Sequence, residues 1–218
     1  MDCKKIDVSA VLEQLNAIKY KNQYSKYKNA FLKFCDFLDI ELDSKTKQTL
    51  EFMHGEKKKK YRKLKHVKLC DIKNHLRVMK DQKLRLSYEA MLRTGLRVSE
   101  LCQLKKVDCL IQQGSIIFSF IGKGGAIEKA VIVEATDKRF FDDLLSLIEK
   151  TRDGDKLFYS PAYLQAKARE KNFACHDLRR VFSKLTYRDC KNINTTMKLL
   201  RHSKLKHTQI YLNSKVEI

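Results

Sequence analysis

The stretch RTGLRVSEL, residues 93–101, is the most informative part of the chain for its fold. The helical pattern that precedes it stops at Gly95, as such patterns do where a glycine follows a helix end. A second helix is predicted over 97–105, and its spacing puts Arg97 and Glu100 on one face. Two helices joined at a glycine corner therefore present an arginine beside a carboxylate. Taken alone, the pair is equally compatible with an ordinary surface ion pair, which stabilises a protein little.

Two further polar clusters lie nearer the end of the chain, HDLRR (176–180) and LLRHSKLKHTQIYL (199–212). In the first, His176 and Arg179 share a helix face. In the second, His202 precedes Tyr211, and a new helix is predicted to begin between them. Each cluster also has an ordinary explanation, because a histidine often sits at a helix start and a tyrosine often packs between apolar neighbours. Their combination is more informative than either cluster.

The remaining pattern predicts a mainly α protein with one small β-sheet. Two apolar, β-branched runs separated by the glycine-rich segment GKGGAIE indicate a β-hairpin, with strands at 115–121 and 129–134. Residues 9–40 are predicted to be helical, with an apolar stripe on one face made of Tyr24, Tyr27, Phe31, Phe34 and Leu38. The other predicted helices span 44–54, 71–80, 84–93, 138–150, 161–171, 176–188, 194–201 and 206–213.

Charge indicates a polyanionic partner. The 218 residues include 46 Lys and Arg against 26 Asp and Glu, a formal net charge of +20. Lysine and arginine neutralise phosphates and release their counterions, although a general bias toward lysine would give the same composition. Residues 57–68, KKKKYRKLKHVK, hold eight basic residues and no acidic one, and we interpret them as a linker. The linker is either simply solvated or follows a DNA backbone through its predicted contact residues Lys57, Lys58, Lys59, Lys60, Arg62 and Lys63.

Other features bear on the cellular setting. The seven cysteines form no C-x-x-C pair, which does not fit a zinc site and suits reduced thiols in a cytosolic protein. No run of eighteen apolar residues predicts a membrane span, and the first residues lack the apolar core of a secretory signal. We therefore expect no metal and no membrane association, and a protein that acts where intracellular DNA or RNA is found.

Four boxes in this order, TGLRVSEL (94–101), GKGG (122–125), HDLR (176–179) and LRHSKLKHTQIY (200–211), resemble the tyrosine recombinases, the phage integrase and Xer-type family. That family shows a TGxRxxEL box, a lysine in a β-hairpin turn, an HxLR box, and an LGH box that ends in a tyrosine. The resemblance covers the chain from about residue 69 onward. Each box is weak evidence by itself, whereas the joint pattern is highly specific.

The resemblance implies a role for each matching residue. Arg97 and Arg179 match the arginines that grip the scissile phosphate, and Glu100 matches an acidic residue that supports the site. His176 and His202 match positions that hydrogen-bond the phosphate and help to move protons. Arginine suits such a site because its planar fork donates paired, charge-assisted hydrogen bonds and keeps its proton.

The two residues that would break and form bonds follow from the same comparison. Tyr211 matches the nucleophile, and Lys123 matches the hairpin lysine that protonates the departing 5′ oxygen. A tyrosine, with a reference pKa of about 10, needs nearby positive charge and a proton acceptor to attack near neutral pH. The implied chemistry uses no metal, cofactor or ATP.

The sequence departs from the family pattern at several points. Arg201 stands where a glycine usually precedes the histidine of the last box, His202, and Arg180 stands where a histidine often follows HxLR. We expect both to contact DNA, and Arg201 alternatively tightens a helix corner. Seven residues follow Tyr211, so the C-terminal helix that many relatives exchange between protomers is expected to be short or missing.

The resemblance also implies a domain plan and an activity. Residues 1–56 would be a shortened helical core-binding domain, 57–68 the basic linker, and 69–218 the catalytic domain, together clamping double-stranded DNA. The expected enzyme is a site-specific recombinase that acts as a homodimer or homotetramer on a short, roughly symmetric site through a 3′-phosphotyrosyl intermediate. Integration, excision, inversion and dimer resolution all stay open as outcomes. Two alternatives stay open as well, a type IB topoisomerase and a non-cutting DNA-binding regulator with the same fold.

Overall fold

The computed structural model describes residues 7–18, 21–52 and 67–218. The chain divides into two compact units, Met1–Arg62 and Lys63–Ile218, and each is described by itself. Most of the predicted basic linker lies outside the described residues, including all six of its predicted DNA contacts, Lys57, Lys58, Lys59, Lys60, Arg62 and Lys63.

The first unit contains three helices among its described residues, α1 (Val8–Asn16), α2 (Lys21–Phe37) and α3 (Ser44–Phe52). The single helix predicted over 9–40 is wrong, because α1 ends at Asn16 and a separate helix follows. A small core joins the three helices, and within it the Tyr24 hydroxyl donates a hydrogen bond to the Leu50 carbonyl at 2.9 Å. The core residues are Leu15, Tyr24, Phe31, Cys35, Leu42 and Leu50.

The predicted apolar stripe on α2 is only partly correct. Tyr24 and Phe31 are buried, whereas Tyr27, Phe34 and Leu38 are exposed. The buried line continues through Cys35 instead, because residues at i, i+7 and i+11 keep one direction on a 3.6-residue helix more closely than steps of three do. This unit therefore leaves aromatic side chains on its surface.

The second unit is mainly helical with two small sheets, as the sequence predicts for its class. Its helices are α4 (Leu69–Arg77), α5 (Gln82–Thr94), α6 (Val98–Leu101), α7 (Lys138–Lys150), α8 (Pro161–Glu170), α9 (Cys175–Cys190), α10 (Ile193–Leu199) and α11 (Leu205–Leu212). Its strands are β1 (Val67–Lys68), β2 (Cys109–Gln112), β3 (Ser115–Ile121), β4 (Ile127–Val133) and β5 (Val216–Glu217). The predicted helices and the hairpin agree with these elements to within a few residues, apart from the one over 97–105.

The segment after α6 is where the prediction was wrong. A helix was expected over 97–105, but α6 ends at Leu101 and a 3-10 turn follows over Lys106–Asp108. Leu104 is completely buried, and its carbonyl accepts a hydrogen bond from the Leu157 amide at 3.0 Å. Tertiary pairing thus takes the backbone away from the helix, a common override of local propensity.

Two strand pairings were also missed. The predicted hairpin is part of a three-stranded antiparallel sheet in the order β2-β3-β4. Leu110 and Ile111 in β2 are both exposed, so this strand carries no alternating pattern that could reveal it. The second sheet is a parallel pair in which Val67 of β1 lies opposite Val216 of β5. Two residues per strand are too few for any periodic signal.

The core of the second unit lies between the inner face of the three-stranded sheet and the helices. Ile116, Phe118 and Phe120 alternate inward from β3, and Ala130 and Ile132 do so from β4. Helix α5 runs through the middle of this core and packs against α9. The polar clusters singled out in the sequence are thereby carried on helix ends that surround a single core.

Gly95 sets the corner between α5 and α6. Its φ of +63° is a left-handed conformation that glycine adopts without a steric penalty. A methyl group at this position would lie 2.4 Å from the Phe182 ring of α9, so the absence of a side chain also lets the two segments approach. Both requirements exclude other residues from the corner that positions Arg97.

Gly95→Ala is therefore expected to destabilise the protein by about 2–4 kcal/mol, through left-handed strain plus overpacking against Phe182. Gly154→Ala is the matched control, since Gly154 also has positive φ (+91°) but has open space around its missing side chain. The control should cost only about 1 kcal/mol. Urea denaturation of both variants measures the difference, and equal losses would show that Phe182 does not constrain the corner.

Candidate active site

Arg97 and Glu100 form a capping box at the start of α6. The Arg97 amide donates to Glu100 Oε2 at 2.8 Å, and the Arg97 guanidinium donates to Glu100 Oε1. Glu100 is buried, whereas the Arg97 side chain keeps about a quarter of its surface in contact with solvent (23% exposed). The carboxylate therefore orients an arginine that remains accessible, which is more than a solvated surface pair would do.

Arg179 lies deeper than its sequence position predicts. Its side chain is completely buried on α9 and donates to the carbonyls of Gly95 and Leu200, while Glu100 Oε2 lies 3.8 Å away. Desolvation, together with the positive charge of Arg97, lowers the pKa of Arg179 to about 10, so it stays charged near neutral pH. The structure brings Arg179 to the cluster, but as a cation below the surface that joins three segments.

His202 is held by a side chain that was not among the predicted site residues. Its Nδ1 lies 3.0 Å from the hydroxyl of Thr208, which is fully buried on α11. Desolvation, with help from Arg179 and Arg97, lowers the pKa of His202 to about 4, so the ring is neutral near neutral pH. The threonine six residues after the histidine was the available signal in the sequence.

Tyr211 contacts both predicted histidines. Its hydroxyl lies 2.8 Å from His176 Nε2, and the two rings meet edge-on with centroids 5.1 Å apart. The His202 ring also packs edge-on against Tyr211, with the two ring centroids 4.9 Å apart. In the tautomer protonated on Nδ1, His176 Nε2 accepts a hydrogen bond from the Tyr211 hydroxyl. The arrangement thus supplies a phenol with a base in direct contact.

The electrostatics keep that base neutral. His176 retains an exposed edge, but packing around the ring and the guanidinium groups of Arg180 and Arg179 lower its pKa to about 4. A neutral imidazole at pH 7 is free to accept a proton, whereas an imidazolium would not be. The positive charge that would stabilise a phosphate thus also preserves the proton acceptor.

Arg180 and the missed residue Asp177 form a pair at the start of α9. Asp177 is buried and caps the helix by accepting from the Ala174 amide at 2.8 Å. The Arg180 guanidinium donates to its other oxygen at 2.7 Å. Arg180 keeps about a quarter of its side chain exposed (26%), so it is anchored at the surface beside His176.

Lys123 lies at the tip of the β3–β4 hairpin, as the sequence predicts, and is exposed. Its ammonium group takes no part in the hydrogen bonds described above for the arginines, histidines and Tyr211. The structure therefore groups five of the six predicted catalytic residues directly and leaves Lys123 on a neighbouring turn.

Arg201 lies inside the corner between α10 and α11. Its φ of +54° is left-handed, and its side chain is only 12% exposed. Its guanidinium lies 3.2 Å from the carboxylate of Glu128 on β4. The alternative that Arg201 tightens a helix corner fits this geometry, and its predicted contact with DNA remains a prediction.

The chain after α11 is fastened to the same unit. Strand β5 pairs with β1, and the Lys184 ammonium donates to the carbonyls of Ser214 (2.8 Å) and Val216 (2.7 Å). A short strand thus follows Tyr211 where relatives were expected to carry a helix. Lys184 thus links the segment after Tyr211 to α9, the helix that carries His176 and Arg179.

Two features are absent from the described residues. No group of three or more His, Cys, Asp and Glu side chains there is arranged to hold a metal ion. No helix in the described ranges has the length and apolarity needed to cross a membrane.

Solved structures of recombinases share this fold. The post-cleavage complex of XerH site-specific recombinase with a palindromic difH substrate matches at 20% identity and a TM-score of 0.64, over 96% of this chain and 69% of that one. A lambda integrase dimer bound to a core site matches at 15% identity and a TM-score of 0.63, over 94% and 78%. XerA recombinase matches at 20% identity and a TM-score of 0.57, over 96% and 79%.

Two further findings concern how much of each chain is matched and which family model the sequence matches. In the pre-cleavage XerH complex, the match spans 67% of this chain but only 49% of the recombinase. No curated protein matches the sequence significantly. The family model described as the phage integrase family matches residues 62–217, a region that includes every residue of the site described above. The chain belongs to the phage integrase family, the tyrosine recombinases that its four sequence boxes resemble.

Proposed function

We propose that this protein is a site-specific DNA recombinase that cuts and rejoins DNA strands through a phosphotyrosyl bond at Tyr211. The observation that carries the proposal is the 2.8 Å contact between the Tyr211 hydroxyl and His176 Nε2, beside buried and half-buried arginines. A tyrosine that served only for packing would need neither a neutral base at its hydroxyl nor nearby cations. The same contact favours a cutting enzyme over a regulator that merely binds DNA.

The proposed cleavage step needs no reactant other than the site's own residues and the DNA. The Tyr211 oxygen attacks the phosphorus of a phosphodiester and passes its proton to His176. The bond from phosphorus to the 5′ oxygen breaks as the bond to tyrosine forms, which leaves a 3′-phosphotyrosyl linkage. Lys123 gives a proton to the departing 5′ oxygen, so that a free 5′ hydroxyl results. Rejoining is the reverse reaction with a different 5′ hydroxyl.

Arg97 and Arg179 divide the stabilisation of the phosphate in this proposal. Charge builds on the non-bridging oxygens as the phosphoryl group transfers, so positioning and electrostatics dominate its catalysis. Arg97 is accessible and would donate hydrogen bonds directly. Arg179 is sealed below it and acts through its charge, at close range in a poorly hydrated region where such interactions are strong. Direct contact of Arg179 with phosphate would require the DNA-bound site to rearrange.

The partner and the assembly are part of the proposal. The XerH recombinase is bound to its difH substrate, and the lambda integrase dimer is bound to a core site. The net charge of +20 suits a DNA partner here as well. Residues 1–56 would serve as the core-binding domain, residues 57–68 would follow the DNA backbone, and 69–218 would cut. Homodimers or homotetramers would act on a short, roughly symmetric duplex site in the cytoplasm or at the nucleoid.

Tyr211→Phe should abolish covalent attachment to DNA and leave DNA binding nearly unchanged, because it removes only the attacking oxygen. The loss should be at least about a thousandfold, as for other removed nucleophiles. A pool of nicked duplexes with a randomised core, separated on denaturing gels, measures attachment, and gel shifts measure binding. Tyr163→Phe removes an exposed hydroxyl on α8 and should behave as the unmodified protein. Attachment by the Tyr211 variant would exclude it as the nucleophile.

Lys123→Ala should slow cleavage by about 10²–10⁴-fold, the range for loss of a general acid. A substrate with sulfur at the bridging 5′ position should restore the rate, because a thiolate leaves without protonation. Single-turnover cleavage of the trapped site with oxygen and with sulfur measures the rescue. Lys129→Ala, which removes another exposed lysine from β4, should be slowed with neither substrate. If sulfur gives no rescue, the proton comes from another group, such as a histidine.

A further inference from the structure

Arg201 occupies a backbone position that costs free energy for any residue but glycine. Its φ of +54° is left-handed, a conformation that disfavours side chains with a Cβ by about 1 kcal/mol or more. A glycine would form this turn without strain. The arginine side chain is therefore retained against a local penalty, and its contacts show what it gains.

Arg201 braces the same two segments that Arg179 joins. Arg179 donates to the carbonyls of Gly95 and Leu200, whereas Arg201 donates to Thr94 at 3.3 Å and Leu199 at 3.0 Å, the residues immediately before them. Two arginines thus connect the end of α5 to the end of α10. Arg201 also contacts residues beyond this junction.

The remaining contacts of Arg201 lie on the β3–β4 hairpin. Its Nε is 3.2 Å from Glu128 Oε2, and its guanidinium carbon lies 5.4 Å from the centre of the Phe120 ring. Phe120 and Glu128 are direct partners in the strand register, one pair before the hairpin turn. The guanidinium therefore contacts the last strand pair but one before the turn that carries Lys123.

Glu128 extends this contact to the residue next to Lys123. A methyl group at Gly122 would lie 2.5 Å from the Glu128 carboxyl carbon, so the acidic side chain covers the bare backbone there. The Gly122 amide donates to the Ala126 carbonyl at 2.8 Å and closes the turn. A continuous set of contacts leads from the His202 corner through Arg201, Glu128 and Gly122 to Lys123.

We propose that Arg201 is a positioning residue that sets the distance between the hairpin lysine and the Tyr211 site, with Glu128 as its anchor on the hairpin. The inference rests on the proposed function, because it concerns delivery of the proton that Lys123 supplies. Buried ion pairs are weak evidence for stability, since desolvation offsets much of their attraction. A pair that joins a loop to a helix corner instead fixes a geometry, and small misplacements of reacting groups slow catalysis by up to about a hundredfold.

Three variants test the inference, Arg201→Gly, Glu128→Gln and their combination. Glycine suits the left-handed turn, so Arg201→Gly removes the brace while the backbone keeps its conformation. Glu128→Gln keeps the shape and removes the charge, and it carries the test if melting curves show that Arg201→Gly is unfolded. Glu134→Gln is the control, because it removes the same charge just after the far end of β4. Single-turnover cleavage of trapped duplexes is measured with oxygen and with sulfur at the 5′ bridge.

If Arg201 and Glu128 position Lys123, the cleavage rates of the variants should follow a specific pattern. Arg201→Gly and Glu128→Gln should each slow cleavage of the oxygen substrate by about 10–100-fold. Sulfur should restore both to within about threefold of the unmodified protein, as for loss of the lysine itself. The combination should be no slower than the worse single variant, because both remove one interaction. Glu134→Gln should be unaffected with either substrate.

Other results would overturn the inference. An oxygen rate unchanged in both single variants would mean that the brace does not position the lysine. Equal slowing with oxygen and sulfur would mean that Arg201 acts on the phosphate or the tyrosine instead. Failure of the proposed function looks different, since the unmodified protein would then cleave neither substrate.

Discussion

A buried arginine cannot be left without partners, and this requirement organises the second unit. Arg179 has no exposed surface, so its charge has to be solvated by the protein itself. The Gly95 and Leu200 carbonyls provide that solvation, and both can do so only if the ends of α5 and α10 meet over α9. Gly95 in turn has no side chain and so leaves room for the Phe182 ring. The positions of the TGLRVSEL, HDLR and LRHSKLKHTQIY boxes relative to one another follow from this one cation.

The same concentration of positive charge explains why the histidines suit their proposed roles. Desolvation lowers the pKa of His176, and the charges of Arg180, Arg179 and Arg97 lower it further, so the base at Tyr211 stays neutral near neutral pH. A phosphate needs cations beside it, and a proton acceptor needs to remain unprotonated. One cluster satisfies both needs, since its cations keep the histidines unprotonated in the free protein and a bound phosphate brings the negative charge that favours proton transfer to His176.

Much of this arrangement could be predicted from the sequence, for physical reasons that differ between residues. Helices α7 and α9 have strong periodicity and defined starts, and they lie where predicted. The family boxes specify Arg97, His176, His202 and Tyr211 by chemistry, and the structure brings these four together. Strand β2 could not be predicted, because its outward Leu110 and Ile111 give no alternation.

The burial of Arg179 and the brace from Arg201 to Glu128 could not be predicted either. Each depends on contacts between residues far apart in the chain, which no local pattern encodes. Arg201 illustrates the difference, because a departure from the family glycine identifies an unusual position without indicating where the side chain goes. The pairing of β5 with β1 belongs to the same group, since it brings the two ends of this unit together.

The central claim is that Tyr211 becomes linked to the 3′ phosphate of a cut strand. The most direct test is mass spectrometry of the protein after incubation with nicked duplexes of randomised core sequence, followed by digestion with nuclease and trypsin. We expect a nucleotide attached through its 3′ phosphate to the peptide that contains Tyr211, and a free 5′ hydroxyl on the released strand. A nucleotide on a different residue, attachment through a 5′ phosphate, or no attachment to DNA that is demonstrably bound would contradict it.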